Sequence, residues 1–151
     1  MTPTQREELN RFFVCVFNQI LAREEQALSG AGGLSVKELH VLEAVSGCTA
    51  QGRNTMTQIA GALSIRVSTL TTAVNTLVSK GCLERGEEPG DRRVIRVRLT
   101  ARGEEASRLH ARFHQRMVES AAGCLEEDEV EILLRSLRRL EQFFRSDRTD
   151  Q

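Results

Sequence analysis

Two histidines four residues apart, His110 and His114, stand out as groups whose type and spacing could do chemistry. On a helix an i, i+4 pair points the same way, and two imidazoles so placed can grip zinc when a carboxylate or another histidine completes the shell. Histidines on a partly apolar face are also commonly packed and hydrogen-bonded, so both uses stay open. A second group, Ser68, Thr69, Thr71, Thr72, Asn75 and Thr76, lies on the side of a predicted helix not taken by Leu70, Val74 and Leu77. Small hydroxyl and amide side chains can approach base edges and phosphates in a major groove; a solvated, threonine-rich face is the plainer alternative. The third group is Asp91-Arg92-Arg93, at the predicted tip of a hairpin. An arginine there can enter a narrow minor groove while a nearby carboxylate holds its guanidinium, with an ordinary surface ion pair as the alternative. The residue patterns of common enzymes, GxSxG, HExxH, the P-loop and GxGxxG, do not occur, and no enzymatic activity is expected.

The bulk composition agrees with a binding protein. At 151 residues, with six Phe and no Trp or Tyr, the chain suits one mainly helical domain. Cys15, Cys48, Cys82 and Cys124 form no CxxC pair, so reduced thiols are expected and neither a zinc ribbon nor a disulfide framework is suggested. No basic segment leads into an apolar run and no stretch approaches the ~20 apolar residues of a membrane span, so a cytoplasmic protein without a membrane partner is expected. The formal net charge is zero, but it is unevenly spread. Between Arg53 and Gly103 nine basic residues face four acidic ones, a net +5, which leaves −5 for the rest. A basic island in an acidic chain is what a phosphate-binding surface needs.

The elements that must position these groups follow from periodicity. From Thr4 to Leu28 apolar residues recur at three and four positions, predicting a helix with one buried face, which Ser29 to Gly33 then end. Ser35 with Glu38 forms a capping box for a second helix through Val45, and the polar run Gly47 to Asn54 reads as a loop. Thr55 opens a short helix, Ser64-Ile65-Arg66 a turn, and a longer helix through Val78 follows, in the pattern of a helix-turn-helix. After Lys80-Gly81 come Cys82 to Arg85, a turn-rich Gly86 to Asp91, and the β-branched run Val94 to Leu99, which together predict a hairpin. Thr100 caps a long helix, and the acidic Glu126 to Glu129 opens the last one. The apolar stripes of the terminal helices exceed what the middle can cover, so pairing with a second copy is expected.

Met56-Thr57-Gln58-Ile59-Ala60, Leu77-Val78-Ser79-Lys80-Gly81, Asp91-Arg92-Arg93 and Leu99-Thr100-Ala101-Arg102-Gly103 together resemble the MarR family of dimeric winged-helix repressors. The resemblance runs over essentially the whole chain. It implies a mainly α fold with a β-hairpin wing, residues 34–100 forming the winged helix-turn-helix part and 4–28 and 101–145 the dimerisation helices of one domain. It further implies a homodimer on duplex DNA carrying an inverted repeat, with Arg66 and Lys80 joining the polar helix face and the wing at the DNA. Arg66 departs from the family, which usually has Ser or Thr at that cap, so the helix is expected either to start elsewhere or to lose up to ~1 kcal/mol of capping.

Leu34-Ser35-Val36-Lys37-Glu38-Leu39-His40 and Leu109-His110-Ala111-Arg112-Phe113-His114 most resemble the branch that represses fatty-acid synthesis genes. That likeness implies acylated acyl carrier protein as co-repressor. Its acyl chain would take an apolar slot built from Phe13, Val16, Phe17, Phe113 and Met117 near His40, His110 and His114, and its acidic surface would dock on Arg108, Arg112 and Arg116. A plain core and a solvated face are the alternatives for these two sets. Likeness to zinc-sensing members implies instead a ligand set of Glu24, His40, His110 and His114. A small phenolic ligand or an oxidant is a further alternative; Cys15 occupies the helix where peroxide-sensing relatives carry a reactive cysteine, but its apolar neighbours predict a buried, structural thiol. For the wing, Arg93→Ala is expected to weaken operator binding by ~1–3 kcal/mol without unfolding the protein, measured by anisotropy alongside thermal melting.

Overall fold

The computed structural model describes residues 1–28, 33–88 and 91–146, with backbone only for Glu88, Asp91 to Arg93 and Phe144 to Ser146. In chain order the elements are α1 (Pro3–Leu28), α2 (Val36–Ala50), α3 (Met56–Leu63), α4 (Val67–Ser79), β1 (Leu83–Glu88), β2 (Asp91–Leu99), α5 (Ala101–Ala122) and α6 (Glu127–Ser146). They form two compact units, Met1–Phe113 and His114–Gln151, whose boundary falls within α5. This is a mainly helical winged helix-turn-helix, as the sequence predicts.

The core of the first unit explains its helical periodicities. Leu39, Leu42 and Val45 of α2, Ile59 and Ala60 of α3, and Leu70, Val74 and Leu77 of α4 close on Cys82 and on Leu83 and Val97 of the hairpin. Burying a side chain of this kind contributes about 1.5–3 kcal/mol, so the i, i+3, i+4 spacing of these residues decides which helix faces turn inward. Local signals set the ends. Ser35 and Glu38 cap α2 reciprocally, and Thr55 and Gln58 do the same for α3. At the end of α4, Gly81 takes φ +70°, which lets the Cys82 amide donate to the Leu77 carbonyl at 2.9 Å. Thr100 then starts α5, accepting from the Gly103 amide and donating to the Gly81 carbonyl.

The hairpin pairs antiparallel from Leu83↔Leu99 to Glu87↔Ile95 and is irregular at Glu88↔Asp91. A short third edge joins it. Thr55 bridges to Arg96, the Val97 amide donates to the Asn54 carbonyl at 2.9 Å, and the buried Asn54 side chain donates to the Val97 carbonyl at 3.0 Å. The wing is thereby tied to the segment that leads into α3.

Two boundaries differ from the sequence reading. Residues Gly47 to Ala50 continue α2 instead of forming a loop, because Cys48 turns into the core and the Thr49 hydroxyl returns to the Val45 carbonyl at 2.7 Å. The loop shrinks to the four residues before Thr55. Likewise Gly86 to Glu88 belong to β1 and Asp91 to Arg93 to β2, since ladder pairing outlasts the turn-prone composition. The predicted terminator Ser29 to Gly32 and the turn residues Pro89 and Gly90 lie outside the described residues.

Gly103 packs against the backbone: a Cβ there would stand 2.0 Å from the Cys82 carbonyl oxygen. Gly61, inside α3, has open space around it. Gly103→Ala is therefore expected to destabilise the fold by about 1–3 kcal/mol, and Gly61→Ala to stabilise it by up to about 1 kcal/mol, compared by urea denaturation midpoints.

Candidate nucleic-acid interface and buried histidine cluster

The turn between α3 and α4 is set by Ser64, whose φ of 60° and ψ of 35° place it in the left-handed region. Its amide and that of Ile65 close α3 on the Gly61 and Ala60 carbonyls. Arg66 occupies the cap of α4 in an extended conformation and its side chain makes no cap bond, so the helix keeps its start and goes without side-chain capping. With Leu70, Val74 and Leu77 buried, Ser68, Thr69, Thr71, Thr72, Asn75 and Thr76 are all exposed. Three of the hydroxyls donate back along the helix, Thr71 to Val67 at 2.8 Å, Thr72 to Ser68 at 3.4 Å and Thr76 to Thr72 at 3.2 Å.

The basic island divides between surface and scaffold. Lys80, expected at the DNA, sends its ammonium inward, to the Glu38 carboxylate at 2.8 Å and the Gly33 carbonyl at 2.9 Å. Arg96 donates to Asn54 Oδ1 at 2.7 Å and the Gly52 carbonyl at 3.2 Å, fastening the wing root. Arg85, which the sequence reading did not single out, reaches from β1 to α4 and donates to Asn75 Oδ1 at 2.7 Å. The signal for it was weak, since ten residues and a turn separate the partners. The side chains of Asp91, Arg92 and Arg93 lie outside the described residues; their backbone opens β2.

A second site is buried within the first unit. Glu24 of α1, 1% exposed, aims its Oε1 at two imidazoles: His40 Nε2 of α2 at 3.1 Å and His110 Nε2 of α5, itself fully buried, in a shorter contact. The two rings meet edge to face with centroids 5.2 Å apart. His110 Nδ1 lies 3.3 Å from a Glu43 carboxylate oxygen on α2. His114 follows His110 by one turn of the same helix and belongs to the second unit. Chain segments 86 residues apart supply the central contact. The identity of these residues is visible in the sequence, but only folding places the carboxylate between the rings. Glu43 was not foreseen, being one of many exposed glutamates.

The remaining effector candidates are dispersed. Phe13 stacks on Phe17 at 6.4 Å along α1, Phe17 remains exposed, Val16 is half-buried, and Phe113 packs against the core of the first unit. Met117, in the second unit, is half-buried. Arg108, Arg112 and Arg116 are exposed along α5, Arg108 within 3.6 Å of Glu104. Cys15 corrects the expectation of a buried thiol: it is exposed, because in the single chain α1 buries only Glu24 and Leu28. No helix of the described residues is long and apolar enough to cross a membrane.

A helix-turn-helix whose second helix presents an exposed polar face, flanked by a two-stranded wing, defines a winged-helix DNA-binding transcriptional regulator. The MarR family model matches residues 34–95. Among solved structures the chain is 32% identical to Streptococcus pneumoniae FabT in complex with DNA, covering 93% of this chain and 98% of that one with a TM-score of 0.84. S. aureus MepR in a DNA complex, at 18% identity over 89% and 95% of the two chains and a TM-score of 0.78, shares the fold. So does BldR from Sulfolobus solfataricus, at 22% identity over 94% and 99% and a TM-score of 0.69. Curated proteins give no match. The chain belongs to the MarR family.

Glu38 connects α2 to α4 and carries a pH dependence. Burial alone would raise its pKa, but hydrogen bonds from Lys80 and from the Ser35 amide and hydroxyl, with the Lys80 charge, hold it below the usual 4.5. A depressed carboxylate stabilises the fold above its ordinary titration range and ceases to do so as pH falls through the lower folded value. Lys80→Met is expected to lower stability at neutral pH, and the gap to the parent protein to narrow on acidification below about pH 4, followed by chemical denaturation across pH.

Proposed function

We propose that this MarR-family protein is a homodimeric repressor of fatty-acid synthesis genes that reads an inverted repeat and takes acylated acyl carrier protein as co-repressor. The observation that carries this reading is the likeness to FabT in complex with DNA over nearly the full length of both chains. Dimerisation is supported by the exposed apolar side chains Leu9, Phe12, Phe17 and Leu21 on α1 and Leu133, Leu134 and Leu137 on α6, more than a lone soluble chain ordinarily leaves uncovered. Two copies offer two α4 helices, and a two-fold protein calls for a two-fold operator. Docking of an acidic carrier is supported by Arg108, Arg112 and Arg116 along one side of α5. The Arg108 to Glu104 pair is exposed at both ends, so an incoming acidic surface can compete for the arginine.

A second reading is favoured by the buried cluster. A carboxylate this deep needs hydrogen bonds or opposite charge to offset its lost hydration, and a divalent cation would supply the charge. One carboxylate and three imidazoles suit zinc in number and chemistry. In this reading Glu24, His40 and His110, which the first unit brings together, would hold the ion, with His114 added as the likeness to zinc-sensing members implies, and the ion would join α1, α2 and α5. No enzymatic activity is proposed in either case.

Titrating a fluorescent inverted-repeat duplex separates the two. If long-chain acyl carrier protein tightens binding by about 5- to 150-fold, the range typical of allosteric coupling, while the unacylated carrier and zinc do not, the fatty-acid reading stands. Binding that collapses with chelator, returns with zinc and loses this response in Glu24→Gln supports the metal reading. A protein that responds to neither refutes both effectors, and a monomer by sedimentation refutes the two-fold model.

A further inference from the structure

The hydrogen bonds on the exposed face of α4 determine which kind of base edge each side chain can address. A threonine hydroxyl has one proton and two lone pairs. Thr71, Thr72 and Thr76 each donate that proton to the carbonyl four residues back. What they present outward is an oxygen acceptor and a methyl group. In the major groove an A·T pair offers both complements, the adenine amino donor and the thymine methyl, whereas a G·C pair offers the cytosine amino donor without a methyl group, beside two guanine acceptors that a hydroxyl oxygen repels.

Asn75 differs from them. A guanidinium can only donate, so the amide atom it faces at 2.7 Å is the oxygen and the amide nitrogen points away. A free asparagine commonly reads adenine with both ends, the oxygen accepting from N6 and the nitrogen donating to N7. Here the guanidinium of Arg85 already sits on the oxygen, and its charge and remaining N–H groups repel the adenine amino group. The same cluster of donors is complementary to O6 and N7 of guanine. Among the described residues Arg85 makes no ion pair that would neutralise it, and both side chains are exposed.

We infer that Arg85, from the wing strand β1, is a specificity-determining residue for DNA: it converts Asn75 into part of a donor pair that selects guanine, beside a threonine patch that selects A·T pairs. Each half-site then combines A·T pairs with one guanine position. The inference rests on α4 being the helix that enters the groove.

The test is selection of duplexes from a random library by the full chain, with the parent protein, Arg85→Ala and Asn75→Ala. For the parent, half-sites are expected with A·T pairs and one position at which guanine exceeds adenine about tenfold, within the range a single good side-chain contact supplies. Arg85→Ala is expected to level or invert that preference, because the freed amide can read adenine, while leaving the A·T pairs intact. Asn75→Ala is expected to erase discrimination between guanine and adenine at that position. If Arg85→Ala weakens all duplexes equally, with a shallower salt dependence and an unchanged base preference, Arg85 is a phosphate contact and the inference is wrong. G·C-rich selected half-sites overturn the threonine argument. Failure of the parent to retain any duplex would instead refute the groove assignment beneath it.

Discussion

The carboxylate of Glu38 ties the two halves of the reading head together. It closes the first turn of α2 by accepting from the Ser35 amide at 2.7 Å, and it holds the Lys80 ammonium at the far end of α4. A single half-buried group thus sets both where α2 begins and how the recognition helix lies against it. Two residues further along α2, His40 faces Glu24. Any ligand that shifts His40 therefore acts on a helix whose start is coupled to α4. The same ion pair commits the Lys80 ammonium to Glu38, so part of the basic island serves the scaffold. Arg96, bound to Asn54 and Gly52, does comparable work at the wing root.

The second constraint is the burial of Glu24. Removing a carboxylate from water costs several kcal/mol unless opposite charge and hydrogen bonds compensate. Here two imidazoles from different helices converge on one oxygen, and the other nitrogen of one lies 3.3 Å from a second carboxylate. Such a network is a poor way to gain stability alone, because apolar side chains would fill the space at lower cost. The aromatic residues Phe13, Phe17 and Phe113 are divided between a stack on α1 and the winged-helix core.

Much of the fold was legible along the chain because local physics decides it. The Ser35 and Glu38 box, the start of α3 at Thr55, the glycine exit of α4 and the Thr100 start of α5 are each determined within a few residues. Helix faces followed from the spacing of Leu70, Val74 and Leu77, and the hairpin from its β-branched run. The miscalled stretches, Gly47 to Ala50 and Gly86 to Glu88, are those in which loop-prone composition was overridden by a buried cysteine or by strand pairing. Cys15 failed for a related reason: apolar neighbours in sequence do not guarantee a partner surface in space.

By itself, then, the sequence determined the order and type of the elements and the polar face of α4, since these depend on periodicity and residue chemistry. Tertiary structure alone decided which charges meet. The pairings Glu24 with His110, Lys80 with Glu38 and Arg85 with Asn75 span 86, 42 and 10 residues. A contact across such distances depends on how the helices pack and where the hairpin lies, and neither leaves a trace in local spacing.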